Sequence, residues 1–119
     1  MLYDRGVPIR FDHQLEVSPF AVFRGLREGR PPLLVDVRPE PGRLTLKGSI
    51  PWPGPDWSPP ADEDVVLFDD DGVIALDAAR RMRAAGWPRV RALFGGLALY
   101  DFALDPEVVG EERFLALTP

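Results

Sequence analysis

The sequence contains no cysteine. Disulfides, thiolate metal sites and every mechanism with a cysteine nucleophile are therefore excluded. Asparagine is also absent, and glutamine, histidine and lysine occur once each, as Gln14, His13 and Lys47. No apolar run approaches the roughly 18–20 residues of a membrane-spanning helix. The start, Met1-Leu2-Tyr3-Asp4-Arg5-Gly6, lacks the apolar core of a signal peptide. A cytoplasmic chain with no membrane partner is expected. Positive charge is scarce too. The net charge of −5 and pI near 4.8 argue against a nucleic-acid partner, which would need a basic face.

What is present describes a folded protein. Apolar residues make up 45% and charged residues 28% of the 119 residues, a globular rather than a disordered composition. The length suits one domain that buries roughly 65% of its unfolded surface. Depletion of thermolabile side chains together with 14 prolines suits a thermophilic source. A GC-rich genome would give the same excess of arginine and proline.

Along the chain, Val7-Pro8-Ile9-Arg10-Phe11 reads as a short edge strand, where proline is tolerated. Ser18 and Pro19 then start a helix. Phe20, Val22, Phe23 and Leu26 give it a helical repeat, and Gly29 with Pro31-Pro32 ends it. Leu33-Leu34-Val35-Asp36-Val37 is a nearly continuous apolar run, as in a strand buried on both faces. Residues 38–64 are rich in proline and loop-forming, with a very short strand expected within Gly48-Ser49-Ile50-Pro51. Val65-Val66-Leu67-Phe68 is a second buried strand running into the turn Asp69-Asp70-Asp71-Gly72. A helix over 74–85 follows. Val90-Arg91-Ala92-Leu93 is a third strand. Gly95-Gly96 turns the chain into a short helix with Leu97, Leu99, Tyr100 and Phe102, and the tail over 103–119 is read as a further helix. Strands alternating with helices predict an α/β domain with a mainly parallel sheet of about five strands.

Several of these pieces, in this order, resemble a rhodanese-like domain. Leu33-Leu34-Val35-Asp36-Val37-Arg38 is similar to that family's first core strand with its Asp-x-Arg ending. Lys47-Gly48-Ser49-Ile50-Pro51 resembles its Gly-Ala-Ile segment. Val65-Val66-Leu67-Phe68 resembles the strand that delivers the active-site loop. Ala78 to Trp87 is similar to its A-A-x-x-L-x-x-x-G-aromatic helix, and Val90 to Tyr100 to its closing V-x-x-L-x-G-G-x-x-x-W segment, with tyrosine for tryptophan. The resemblance covers residues 17–102 and implies a single rhodanese-like domain over 1–119. It also implies an active-site cysteine directly after the second core strand, held as a persulfide by backbone N–H groups of a six-residue loop. That position is Asp69 here, the loop glycine is Gly72, and Ile74 and Ala75 stand where arginine and serine or threonine are frequent. The vestigial loop thus comprises Asp69, Asp70, Asp71, Gly72, Val73, Ile74 and Ala75. A carboxylate holds no transferable sulfur, so no catalytic residue and no cofactor are expected, and the role implied is an interaction or regulatory module with an unidentified protein partner.

The loop has three readings. Asp69 can fill the N–H cradle itself as an internal anion, leaving Asp70 and Asp71 as solvated turn residues. The Asp cluster can bind a divalent cation through Asp69 and Asp71. Alternatively, Val65 to Val73 resembles the first motif of haloacid-dehalogenase-like phosphatases, a buried strand followed by D-x-D-G-[TV]. That resemblance implies Asp69 as nucleophile, Asp71 as general acid/base, and Mg²⁺ as cofactor. Lys47, however, lies upstream of the motif, and a downstream acidic pair for the metal is not evident, Glu111-Glu112 lying in the tail.

Four further features stand out. Asp36 and Arg38 close a core strand at the pocket edge, either paired with neighbouring groups or facing the pocket. Trp52 and Trp57, on the proline-rich loop, form either a lid over the sheet or a docking surface. His13 has no acid or serine at catalytic spacing and is expected on the surface. Arg80, Arg81 and Arg83 are expected on the solvated face of their helix.

Overall fold

The computed structural model describes residues 10–118, together with the backbone of Tyr3–Asp4 and Val7–Pro8. These last two segments, β1 (Tyr3–Asp4) and β2 (Val7–Pro8), pair with each other antiparallel. The expected edge strand from Val7 to Phe11 is therefore not part of the main sheet. Ile9 lies outside the described residues, and Arg10–Phe11 are not in a strand.

The main sheet has five strands, all parallel, in the order β3-β8-β7-β4-β6. They are β3 (Glu16–Val17), β4 (Leu33–Asp36), β6 (Ile50–Pro51), β7 (Val65–Phe68) and β8 (Val90–Leu93). The short apolar runs provide its centre. β7 is buried at every position and lies between β4 and β8, with Leu33 opposite Val65 and Val65 opposite Val90. Side chains alternate between faces along a strand, so each face gathers its own core. On one side Val66, Phe68, Leu34 and Leu93 pack with Val22 and Phe23 of α1 (Pro19–Arg27) and Tyr100 of α3 (Gly96–Ala103). On the other side Val65, Leu67, Val35 and Ala92 pack with Ala75 and Ala79 of α2 (Val73–Ala84).

The helix starts follow from local chemistry. The Ser18 hydroxyl accepts from Ala21 N–H at 3.1 Å, and Pro19 takes a first-turn position where its missing N–H costs nothing. Phe20, counted with the apolar repeat of α1, is nearly half exposed at 48%. Val22 and Phe23 define the buried face instead.

The tail corrects the sequence reading. Only α4 (Pro106–Val109) is helical, and β9 (Leu115–Leu117) returns as a strand. It pairs antiparallel with β5 (Leu44–Leu46), inside the segment read as loop, with Thr45 opposite Ala116. Three-residue strands carry too little period to be visible in sequence. Partly buried Phe114 and Leu115 join the α1 face of the core from this ribbon, and the Tyr100 hydroxyl donates to the Arg113 carbonyl at 2.7 Å.

Among the described residues no helix is long and apolar enough to cross a membrane.

Candidate functional site

β7 ends at Phe68, and the chain reaches α2 through Asp69, Asp70, Asp71 and Gly72. Gly72 sits at the N-cap of α2 with φ 91° and has no side chain to cap the helix. The first turn is satisfied from further back. Asp69 accepts from Gly72 N–H at 2.6 Å through Oδ1, and from Ile74 N–H at 2.8 Å and Ala75 N–H at 3.3 Å through Oδ2. Asp71 Oδ1 accepts from Val73 N–H at 3.0 Å. Two carboxylates thus take up the donors that a helix start leaves unpaired, at the end where the helix dipole favours negative charge.

Asp69 is 1% exposed. Burial pushes its carboxyl above the ordinary value, while the N–H donors of Gly72, Ala75 and Ile74 act in the opposite sense and nearby Asp71 adds to the rise. The loop is also held from its other side. The N-terminus of α3 donates to the loop carbonyls, Leu97 N–H to Asp69 O at 2.8 Å and Ala98 N–H to Asp70 O at 3.0 Å. This contact requires Gly96, which has φ 63°. A Cβ there would lie 2.5 Å from the Asp70 carbonyl carbon and the Asp71 nitrogen.

At the end of β4 the Arg38 side chain is 3% exposed. It grips Asp36 with two bonds, Nε to Oδ1 at 2.9 Å and Nη2 to Oδ2 at 2.8 Å. Nη2 also donates to the Leu44 carbonyl at 2.9 Å, and Nη1 to Asp70 Oδ1 at 3.0 Å. The Asp36 hydrogen bonds, more than any other influence, hold the guanidinium firmly protonated. Of the two roles open to Arg38, pairing with acids is the one found. Asp70 departs from expectation. Its side chain is 71% exposed, yet it is tied to Arg38 rather than left in a free turn. A bond across 32 residues of sequence has no local signal.

The other singled-out residues lie apart from this loop or around its mouth. Trp52 and Trp57 are half-buried, meet edge to face at 5.9 Å between centroids, and pack on the α2 side of the core. This is the geometry of the lid. With Trp87 and Met82 they line a groove of about 490 Å³. A broader groove of about 970 Å³ lies over the starts of α2 and α3, with Val73, Leu99 and Phe102 in its walls. Ile74 borders both grooves and Asp69 borders neither. His13 is exposed and stacks near Phe11, with centroids 6.5 Å apart. Arg81 pairs with Asp77 at 2.6 Å and Arg83 donates to the Pro88 carbonyl at 2.7 Å, both on the outer face of α2. Lys47 and Glu112 bond each other at 2.7 Å, linking the start of the β5 turn to the tail.

Sequence reading missed one buried acid. Glu16 on the edge strand β3 is 5% exposed and accepts from Asp12 N–H at 3.0 Å. Burial raises its carboxyl. Its position on a two-residue strand hid it.

As a cation site the loop is poorly formed. Both Asp69 oxygens accept N–H bonds, Asp71 bonds Val73, and Asp70 bonds Arg38. Among the described residues no group of three or more acidic or histidine side chains converges as a metal site would require. No protein-family model matches this chain, and no curated protein matches it.

Proposed function

We propose that this chain is a rhodanese-like domain without sulfur-transfer activity, serving as an interaction or regulatory module. One observation carries the proposal: the side chain at the family's cysteine position is a carboxylate, 1% exposed, that accepts three backbone N–H bonds from its own loop. The cradle that would hold a reacting group is occupied by the protein itself. Each charge-assisted bond of this kind contributes roughly 1.5–3 kcal/mol, so an incoming anion would have to displace a covalently tethered competitor. The five sequence pieces that carry the resemblance lie on β4, β6, β7, α2 and β8 with the start of α3, which supports the same reading.

The alternative is a Mg²⁺-dependent phosphohydrolase with Asp69 as nucleophile. A nucleophile must present an oxygen to its substrate. Asp69 has both oxygens taken by backbone N–H groups, and Lys47 is engaged with Glu112. The donor set does not fit a resident Mg²⁺.

Contact surface for a protein partner exists around the closed loop. Val73 is 67% exposed, Ile74 47% and Phe102 85%, and all three border one groove, a grouping of exposed apolar side chains that marks an interaction site. The proposal includes a cytoplasmic location, a thermophilic source and no nucleic-acid partner, all resting on composition and charge.

The test is a pair of assays on the purified chain. Transfer of sulfur from thiosulfate to cyanide should stay at the uncatalysed rate, as should hydrolysis of a generic phosphomonoester with Mg²⁺. Catalysed sulfur transfer would overturn the proposal. Mg²⁺-dependent hydrolysis that Asp69→Asn abolishes would establish the alternative.

A further inference from the structure

β4, β7 and β8 begin at the end of the sheet opposite Asp69. There a cleft of about 410 Å³ opens, bounded by α1 and by the first residues of β7. Its floor is apolar, with Val17, Val22 and Val66, and its charged lining is Arg30, Arg89, Arg91, Glu63 and Asp64. Two of these charges are accounted for. Arg89 donates to Asp64 Oδ1 at 3.1 Å and to the Asp62 carbonyl at 2.6 Å. Arg30 is 82% exposed and lies 3.6 Å from Glu28.

Arg91 is different. It is the second residue of a central strand, opposite Val66, and strand alternation puts it on the same face as Leu93. Strands of a fully covered parallel sheet are normally apolar throughout. Arg91 is half-buried. Among the described residues no carboxylate or carbonyl lies within bonding distance of its guanidinium. A half-buried arginine stem covers apolar surface while its head needs water or an anion. With Asp64 paired to Arg89 and Arg30 beside Glu28, Arg91 is the cation of the lining that no described acid answers.

We propose that this cleft binds a small organic monocarboxylate, its apolar body on the valine floor and its carboxylate on Arg91. The planar guanidinium fork matches a carboxylate with two parallel bonds. The floor favours a ligand with an apolar body over a bare inorganic anion, and the volume lies in the range of small-molecule sites. The proposal is independent of what the Asp69 loop does.

The experiment is a titration of the isotopically labelled full chain by amide NMR, with hexanoate as probe and 1-hexanol and inorganic phosphate as comparisons. Hexanoate should give saturable shifts in α1 and at the start of β8, with a dissociation constant on the order of 1 mM. The uncharged alcohol and the tail-less anion should each bind at least about tenfold more weakly, a difference of about 1.4 kcal/mol. Arg91→Met keeps the apolar stem and should weaken hexanoate by the same factor while leaving shifts elsewhere unchanged. If Arg91→Met does not fold, Arg91→Lys makes the comparison, since an ammonium cannot form the paired bonds and should bind severalfold more weakly. The proposal is overturned if hexanoate gives no saturable shifts, if either probe lacking one half of the ligand binds as tightly, or if the folded Arg91 variant binds hexanoate unchanged.

Discussion

Where β4 and β7 end, buried charge closes on itself. Asp36 holds Arg38 at 2.8 Å, Arg38 reaches on to Asp70, and Asp69 takes the N–H groups of Gly72, Ile74 and Ala75. Where β7 and β8 begin, Arg91 stands on the core-facing side of its strand beside an open cleft, and no described acid answers it. The difference shows two ways in which one fold deals with polar groups inside it. A polar group inside a protein needs a partner, and the chain can supply that partner itself or leave the place to a ligand. At the first end it supplies every partner. The N–H groups and helix ends that equip an α/β sheet for anion binding are spent on stability.

Substitutions at the two ends should therefore differ in kind, and the largest effect belongs to the closed end. Arg38→Met removes the only cation that faces Asp36 among the described residues and leaves that acid buried. The loss of stability in urea unfolding should be about 3–5 kcal/mol. Replacing Asp36 with leucine in the same chain should recover most of it. If Arg38→Met alone cost under about 1 kcal/mol, the pair would have to be regarded as solvated, and the contrast between the two ends would weaken.

Next comes Gly96→Ala. It places a methyl group 2.5 Å from the Asp70–Asp71 peptide at a positive φ, for a cost of at least about 1–3 kcal/mol. The amides of Leu97 and Ala98 should lose hydrogen-exchange protection before those of β7. Asp69→Ala should cost about 1–3 kcal/mol by leaving the start of α2 uncapped, with the loss read in the same unfolding experiment. Arg91→Met should be the smallest, within about 0.5 kcal/mol of the parent, because no group among the described residues pairs with Arg91. A large loss there would reveal an internal partner and contradict the open end.

Much of this architecture was legible before any coordinates. The apolar runs at 33–37, 65–68 and 90–93 became the three central strands, and Ser18-Pro19 announced α1, because burial on both faces and capping chemistry leave local marks. Asp69 as an internal anion could be anticipated from its place between a buried strand and a helix. What escaped notice was non-local. The β5–β9 ribbon joins two three-residue segments far apart in the chain, so 103–119 read as helix where the last turn of chain is a strand. The tie from Arg38 to Asp70 depends on β4 and β7 being neighbours. Arg91 stood out in no way from the strand Val90 to Leu93, and only the register opposite Val66 shows that it lies above the core.

The closed loop also has a signature in acid. Because burial raises the Asp69 carboxyl above its ordinary value of 3.8, the folded chain binds the proton more readily than the unfolded chain. This group then contributes stability as pH falls through the raised value, the reverse of an ion-paired carboxylate. The most direct measurement is a carboxyl carbon-13 titration of Asp69 followed together with the Gly72, Ile74 and Ala75 amides. The account predicts a midpoint above 3.8 that all four signals share. A midpoint at the ordinary value, with those three amides unmoved, would mean that the carboxylate lies in water and that the cradle stands open.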